Sequence, residues 1–338
     1  MPLTLNAPLD MHLHLRDGEM LKNIAKESAH TFSGALIMPN LVPPVSTKDE
    51  IIAYRQRIMA AIGNEKFTPY MTLFFKPSYD RAFLESVKEE ITAIKLYPAG
   101  ITTNSEGGVS GFDVEELRPA LQAMSDLNIP LCVHGETNGF VMDREAEFVS
   151  IYEKLASAFP KLKIIMEHIT TKESVAALDR FDNLYATITV HHLLITLDDV
   201  AGGMLKPHLF CKPIAKRPED KDALLKVVLS GHPKVMFGSD SAPHPKHAKE
   251  SCGCAAGVFT APIALQILAE LFEKENAALE NLQAFISTNA QRIYGLRPVA
   301  KTVTLEKKSF HVPSNYKGVV PMYADEQIAY SIKEVCNV

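Results

Sequence analysis

Short apolar runs alternate with amphipathic helical patterns along most of the chain, and this alternation constrains the fold more than any other feature. Short continuous apolar runs are typical of buried strands, whereas apolar residues at every third or fourth position indicate a helix against a core. We predict eight strands, over residues 5–15, 35–38, 70–75, 93–97, 130–134, 163–168, 185–190 and 234–240. Because helical segments separate these strands, the pattern predicts a (β/α)8 TIM barrel.

The segments between the strands contain recognisable helix boundaries. Thr47 and Glu50 form a capping box ahead of an apolar helical face that ends at Gly63. An open doubly wound sheet is the competing fold, but no glycine-rich phosphate turn follows the first predicted strand. We therefore favour a barrel that is closed by helices over 258–274 and 280–290.

Length and composition are compatible with one large domain. The chain has 338 residues, of which 46% are hydrophobic, so it can bury a sizeable core. We predict that residues 1–300 form the barrel and that residues 301–338 form a small strand-and-loop extension packed on it. The most apolar stretch, 258–272, is interrupted by polar residues, and the first six residues lack the pattern of a signal peptide. We therefore expect no membrane partner.

Charge and cysteine content narrow the functional classes further. The net charge of −5 includes no long run of one sign, so the basic surface of a nucleic-acid-binding protein is not expected. The five cysteines are scattered apart from the pair Cys252 and Cys254, which favours reduced thiols over a disulfide framework. We therefore expect a cytoplasmic protein. We also expect a homodimer that acts on a small molecule, but charge and cysteine content indicate neither of these.

The stretch 10–17 carries the first candidate site residues. Successive side chains of a strand point to opposite faces. One face is therefore expected to carry Asp10, His12, His14 and Arg16, and the other Met11, Leu13 and Leu15. Two imidazoles opposite an apolar row fit a buried barrel strand whose inner face ends in a metal site.

Side chains of metal-binding type also lie at the ends of four further predicted strands. The complete set is His12, His14, Lys95, His134, His168 and Asp240. Their spacings fit whole strand–helix units, and barrels of this kind hold their active sites at the carboxyl ends of the strands. A lone strand-end histidine is more often a hydrogen-bonded core residue, but six compatible residues at the expected strand ends predict a metal centre.

Lys95 is the unusual member of this set. An ammonium group surrounded by imidazoles and cations would be repelled and costly to bury. One interpretation is that Lys95 extends outward and buries only its stem. The other is that its neutral amine reacts with carbon dioxide to form a carbamate, a bidentate anion that bridges two metal ions.

The ligand types indicate the metal and the reaction. Imidazole and carboxylate oxygen suit zinc, with cobalt, manganese and nickel as alternatives. Two ions sharing a hydroxide would acidify the bound water and polarise a carbonyl. Asp240 would accept the hydroxide proton and deliver it to the leaving nitrogen. The residues alone therefore indicate a binuclear metallohydrolase that acts on an amide or an ester.

Several motifs resemble those of the amidohydrolase superfamily, and more closely those of the short bacterial dihydroorotases. The matching stretches are 10–18, 38–40, 95–100, 133–136, 167–171, 238–244 and 252–255. The His-x-His pair alone marks only the superfamily, whereas its combination with Arg16, Asn40 and His244 is more specific. The resemblance implies reversible cyclisation of N-carbamoyl-L-aspartate to (S)-dihydroorotate, a step of pyrimidine synthesis.

The resemblance also implies the composition of the metal centre and the binding of the substrate carboxylate. It implies two zinc ions per subunit, bridged by carboxylated Lys95 and a hydroxide, with the four histidines and Asp240 as the other ligands. Arg16, Asn40 and His244 would hold the substrate carboxylate, in agreement with the affinity of a guanidinium for a planar carboxylate.

Further residues are implied around the substrate ring. A loop containing Thr102 and Thr103 would close over the ring with its hydroxyl groups. Main-chain groups near Lys212 and Ala255 would contact the amide edges of the ring. Leucine is common at the position of Lys212, so this chain departs from the family pattern there.

Two alternative functions compete with this assignment. Hydantoinases, dihydropyrimidinases and allantoinases share the binuclear centre but have no ring carboxylate to bind, so Arg16 with Asn40 and His244 argues against them. A barrel that has become a binding or scaffold protein should have lost some of the six metal positions, and all six are present.

Overall fold

The computed structural model describes residues 2–337. The strands are β1 (Leu3–Asn6), β2 (Leu9–Leu13), β3 (Gly34–Ile37), β4 (Thr68–Phe74), β5 (Ala93–Leu96), β6 (Leu131–Val133), β7 (Ile164–Met166), β8 (Leu184–Ile188), β9 (Val235–Phe237), β10 (Lys301–Glu306), β11 (Phe310–His311), β12 (Gln327–Ile328) and β13 (Ser331–Asn337). The α-helices are α1 (Gly18–Ala29), α2 (Lys48–Ile62), α3 (Arg81–Val87), α4 (Val114–Asp126), α5 (Arg144–Ala158), α6 (Lys172–Ala177), α7 (Leu197–Ala201), α8 (Pro218–Leu229), α9 (Lys246–Lys249), α10 (Ala264–Lys274), α11 (Leu279–Gln283) and α12 (Asn289–Tyr294).

Strands β2 to β9 form one eight-stranded parallel sheet in which each strand pairs with the next in sequence. The first and last strands approach each other at their carboxyl ends, where Leu13 bridges Ser241 and the Asp240 amide donates to the His12 carbonyl at 2.9 Å. Helices separate the strands along the chain. The predicted (β/α)8 TIM barrel is therefore confirmed.

Local sequence explains why adjacent elements fit together. The capping box before α2 is present, because the Thr47 hydroxyl accepts from the Glu50 amide while the Glu50 carboxylate accepts from the Thr47 amide. Gly34 begins β3, where an added Cβ would lie 2.6 Å from the Thr68 carbonyl oxygen of β4. Only glycine permits the two strands to approach this closely.

The predicted first strand, 5–15, is wrong as a single element. The chain breaks at Ala7, which has a φ of 43°, and at Pro8, which has no amide hydrogen to continue a ladder. The first part, β1, leaves the barrel and pairs antiparallel with β10, which in turn pairs with β13. The small sheet built from the last part of the chain thus takes an edge strand from the amino terminus. The division at residue 300 stays a prediction.

The predicted alternation of faces in β2 is also incorrect for one residue. Met11 packs with Leu9, Leu36 and Met236 in the inner cluster of the barrel, whereas Leu13 packs in the cluster shared with the helices. The pairing of β2 with β3 shifts register between Asp10 and Leu13. A local irregularity of this kind interrupts strict two-residue periodicity.

The closing helices differ in detail from the sequence prediction. The predicted helix 258–274 begins only at residue 264, and the predicted helix 280–290 is realised as α11, a π-helical turn at Ala284–Thr288 and α12. Within residues 2–337, no helix combines the length and apolar character needed to cross a membrane.

Candidate active site

Six side chains of metal-binding type converge at the carboxyl-terminal mouth of the barrel. They are His12 on β2, His14 just beyond it, Lys95 on β5, His134 after β6, His168 after β7 and Asp240 after β9. All six residues are buried, and the most exposed of them, His14, is only 8% exposed. The barrel therefore assembles, from five strands, the set that the sequence predicted separately.

Distances within the set define two neighbouring groups of ligand atoms. Asp240 Oδ1 lies 3.1 Å from His14 Nε2 and 3.5 Å from His12 Nε2. On the other side, His134 Nδ1 lies 3.2 Å from His168 Nε2. The rings of His12 and His168 connect the groups, with centroids 4.8 Å apart. Nitrogen and oxygen atoms converging at such distances are suited to hold metal ions.

Lys95 lies among these ligands with its amine fully enclosed. Its Nζ is buried without a hydrogen-bond partner among residues 2–337 and lies 4.4 Å from the centre of the Tyr97 ring. Burial lowers the pKa of Lys95 to about 8. A buried amine without a partner is costly unless another group satisfies it. This observation fits a carbamate or a metal ligand better than a lysine that extends to solvent.

Two glutamates orient the histidine rings. Glu167 Oε2 accepts from His12 Nδ1 at 2.7 Å and from the Thr187 hydroxyl at 2.5 Å. Glu136 Oε2 lies 2.7 Å from His134 Nε2. The nitrogens left facing the centre are therefore Nε2 of His12 and Nδ1 of His134. Carboxylates behind metal-binding histidines commonly select the tautomer and raise ligand basicity in this way.

Asp240 is ionised and held in a strained conformation. Burial alone would raise the pKa of Asp240, but the hydrogen bond from His14 and the charges of His12 and His168 hold it well below its ordinary value. Its φ is 43°, and the φ of His168 is 40°. Positive φ values at residues other than glycine cluster at functional sites, where the surrounding structure maintains them.

Asp10 connects the first barrel strand to Asp240. One carboxylate oxygen accepts from the Ser239 amide at 2.7 Å and from the His12 amide at 3.2 Å, and the other accepts from the Ser239 hydroxyl at 2.6 Å. Ser239 immediately precedes Asp240. The Asp10 side chain thereby fixes the relative positions of His12 and Asp240 across the barrel closure.

Arg16 lies at the wall of the same cavity, beside His244. Its Nε donates to the Pro243 carbonyl at 3.3 Å and its Nη2 lies 3.0 Å from His244 Nε2. Among residues 2–337, no carboxylate lies within 4.0 Å of this guanidinium. A half-buried arginine without an acidic partner is a binding group for an anion.

His244 is neutral, which limits its hydrogen bonds. Burial and the charge of Arg16 lower the pKa of His244 to about 3. Its Nε2 lies 3.0 Å from the Ala256 carbonyl as well as 3.0 Å from Arg16 Nη2. One nitrogen cannot donate to the carbonyl and accept from the guanidinium at the same time. At least one N–H donor, on either Arg16 or His244, is therefore available to a ligand.

Of the five other residues predicted near the substrate, four line the cavity and one does not. Asn40, Thr102, Thr103 and Lys212 all line the cavity. Ala255 does not line it, since its amide donates to the Ala248 carbonyl and its carbonyl accepts from Lys249. The cavity wall at this point consists of Ala256 and Gly257.

Comparison with known proteins decides the family. A profile described as the amidohydrolase family matches residues 8–300. The chain belongs to the amidohydrolase family. A dihydroorotase of Helicobacter hepaticus is 44% identical over 339 residues, covering 98% of each chain. The crystal structure of a dihydroorotase from Campylobacter jejuni covers 98% of each chain at 60% identity, with a TM-score of 0.95.

A more divergent structure agrees with this placement. Dihydroorotase from Saccharomyces cerevisiae in complex with 5-fluoroorotic acid covers 98% of each chain at 34% identity, with a TM-score of 0.92. An L-hydantoinase from Arthrobacter aurescens has a TM-score of 0.84 at 16% identity, which shows the shared fold alone. Within the family, the chain therefore groups with the dihydroorotases, and the resemblance inferred from its motifs is confirmed.

Sequence reasoning assigned no role to three residues that shape this amidohydrolase site. Glu136 and Glu167 lie inside the recognised motifs, next to His134 and His168, and their acidic character was the available signal. Lys249 is buried, and its ammonium donates to the carbonyls of Phe210, Ala255 and Gly257. No local pattern could identify it, because its partners come from two separate segments.

Proposed function

We propose that this chain is a zinc-dependent dihydroorotase that interconverts (S)-dihydroorotate and N-carbamoyl-L-aspartate in pyrimidine biosynthesis. The observation that carries the proposal is the position of Arg16. An arginine without an acidic partner opens into the same cavity as six buried side chains of metal-binding type. A cyclic amide that bears a carboxylate fits this cavity, because Arg16 can bind the carboxylate while the amide lies at the metal-binding side chains.

The residues present fit a binuclear metal centre. His12, His14 and Asp240 would hold one zinc ion, His134 and His168 the other, and carboxylated Lys95 would bridge them. The unpartnered Nζ of Lys95 and the glutamates behind His12 and His134 support this arrangement. When bound, such ions supply an acidified water and polarise the amide carbonyl.

Asp240 performs the proton transfer in this proposal. During hydrolysis the attacking water forms a bond to the ring carbonyl carbon, and the ring carbon–nitrogen bond breaks. The Asp240 carboxylate accepts the proton of the attacking water and returns it to the departing ring nitrogen. Cyclisation is the reverse, with the same proton moving from nitrogen to Asp240.

The remaining cavity residues bind and enclose the substrate. Arg16, Asn40 and His244 would hold its carboxylate. The Thr102 and Thr103 hydroxyls would cover the ring. Main-chain groups near Lys212, together with those of Ala256 and Gly257 in place of Ala255, would contact its amide edges. Enclosure excludes water and strengthens the electrostatic interactions within the cavity.

The cellular setting is part of the same proposal. All five cysteines are free thiols, which supports a cytoplasmic location. We also propose a homodimer, which size-exclusion chromatography with light scattering would test directly. Residues 301–338 would form an extension of the barrel domain.

An assay of dihydroorotate hydrolysis tests the assignment, with Asp240→Ala, Arg16→Met and the control Arg118→Met, at a partly exposed arginine of α4 outside the cavity lining. We expect Asp240→Ala to lose turnover. Loss of a charged hydrogen-bond donor in Arg16→Met should raise KM at least roughly tenfold while the metal content stays unchanged. Arg118→Met should behave as the wild type.

Comparison of substrates separates the proposal from its rival. The wild type should hydrolyse dihydroorotate in preference to dihydrouracil and hydantoin, which lack the carboxylate. A preference for the neutral rings, retained in Arg16→Met, would show a hydantoinase-type enzyme instead. A metal-loaded wild type that does not hydrolyse dihydroorotate would refute the assignment.

A further inference from the structure

The loop between β5 and α4 is a compact unit with its own hydrogen bonds. Pro98 and Val109 form an isolated bridge at its base. Within it, the Ser105 hydroxyl donates to the Thr102 carbonyl at 2.7 Å and accepts from the Thr102 amide at 3.0 Å. A loop with this internal structure can be positioned as a whole by a few contacts with the rest of the barrel.

One attachment holds the loop on the side of β3. Asn40, which lies three residues after β3, donates through Nδ2 to the Thr103 carbonyl at 2.9 Å. In return, Asn104 Nδ2 donates to the Asn40 carbonyl at 3.0 Å. These two hydrogen bonds anchor one edge of the loop to a cavity residue.

A second attachment holds the loop from the segment between β8 and β9. Lys212 Nζ donates to the Ile101 carbonyl at 2.9 Å. Among residues 2–337, this carbonyl accepts from no other group. Ile101 is itself buried and directly precedes Thr102 and Thr103. The loop therefore spans the mouth of the barrel between Asn40 on one side and Lys212 on the other.

We propose that the Lys212 side chain is a positioning residue that holds Thr102 and Thr103 over the cavity through its hydrogen bond to Ile101. This role belongs to the ammonium group and is separate from the main-chain contact predicted at this position. An apolar side chain of similar length at this position would have no donor to make the bond.

The physical consequence of losing the ammonium is local. Without it, the Ile101 carbonyl loses its partner, and among residues 2–337 the hydrogen bonds that still tie the loop to a neighbouring segment are the two with Asn40. Within residues 2–337, Lys212 forms no hydrogen bond with Asn40 or with the metal-binding side chains. The loop should therefore open more often while the metal centre remains intact. The effect on catalysis rests on the proposed dihydroorotase function, whereas loop opening does not.

Hydrogen–deuterium exchange of the zinc-loaded protein measures loop opening without reference to activity. We compare Lys212→Met, which lacks a donor, with Lys212→Arg, which keeps one. Lys206→Met, at an exposed lysine in the same segment, is the control. We expect exchange of peptides covering 99–108 to rise roughly tenfold in Lys212→Met, as for the loss of one charged hydrogen bond. Lys212→Arg should restore much of the protection, and Lys206→Met should match the wild type.

Steady-state kinetics complete the test. In Lys212→Met, KM for dihydroorotate should rise roughly three- to tenfold with unchanged zinc content, since the loop hydroxyls are then less often in place. Unchanged exchange of the loop in Lys212→Met overturns the proposal, and a raised KM in that case would mean that the ammonium contacts the substrate itself. If the wild type does not turn over dihydroorotate but Lys212→Met still loosens the loop, the positioning role stands and the proposed function fails.

Discussion

Replacement of Lys249 by methionine tests how the wall of the substrate cavity is held. Lys249 lies on α9 and is 3% exposed, and its Nζ donates to Gly257 at 2.7 Å, to Ala255 at 2.8 Å and to Phe210 at 2.9 Å. These carbonyls belong to two neighbouring segments, 254–257 and 210–213, which both contribute residues to the cavity wall. Methionine fills similar space but donates no hydrogen bond.

The expected fall in the free energy of unfolding depends on which hydrogen-bond donors each carbonyl keeps in Lys249→Met. The Phe210 carbonyl also accepts from the Gly257 amide at 2.9 Å, so it stays satisfied. The Gly257 carbonyl is buried and has no second donor among residues 2–337, so it bears the full cost of an unsatisfied group. Ala255 is only partly buried, so we expect water to replace the donor lost from its carbonyl. We therefore expect the free energy of unfolding to fall by about 2–4 kcal/mol.

The functional effect should be selective. The Ala256 carbonyl faces His244, and a looser wall would misplace this histidine relative to Arg16. We expect KM for dihydroorotate to rise roughly tenfold, with zinc content unchanged, because the metal ligands lie on other segments. Urea denaturation and steady-state kinetics of Lys249→Met measure both effects.

Lys246→Met is the matched control, since Lys246 lies on the same short helix with a side chain that is 63% exposed. It should leave both the unfolding free energy and KM unchanged. The reasoning is refuted if Lys249→Met unfolds at the wild-type denaturant concentration and keeps the wild-type KM. An equal effect in Lys246→Met would mean that the helix, and not the buried ammonium, is responsible.

Two further predictions concern the metal centre and the loop. Glu167→Gln should weaken zinc binding about 10–100-fold in a chelator competition, because the carboxylate behind His12 is lost, while Glu116→Gln on the exposed face of α4 should not. Wild-type affinity in Glu167→Gln would exclude that role. The double variant Thr102→Ala with Thr103→Ala should lower turnover of dihydroorotate while both metal ions stay bound, and unchanged kinetics would contradict the proposal that this loop covers the ring.

Strand periodicity predicted much of the site because most barrel strands are regular. On β5 and β6, alternate residues face the barrel interior, so Lys95 is in phase with Ala93 and His134 with Cys132. His168 lies three residues after the inward-facing Ile165 and has a φ of 40°, so alternation alone would have placed it on the outer face. The same rule was wrong for Met11, because β2 shifts register against β3 at this point. A register shift depends on the partner strand, and a single strand carries no sign of it.

The break between β1 and β2 had a different origin. Pro8 interrupts the apolar run, and this residue is a recognisable stop signal for a strand ladder. What the run did not reveal was the partner of β1, which is β10, almost three hundred residues later. Pairings of such separation arise only when the chain folds back on itself.

The sequence by itself determined the (β/α)8 barrel, the family and the six residues of metal-binding type, because these depend on local periodicity and on chemically distinctive side chains. Only the tertiary structure decided which groups support them. Glu167 behind His12, Asp10 at Ser239, Lys249 beneath the cavity wall and Lys212 at the loop each act on a segment remote in sequence. Hydrogen bonds of this kind depend on distances of a few ångströms between chain segments, which residue type and spacing do not specify.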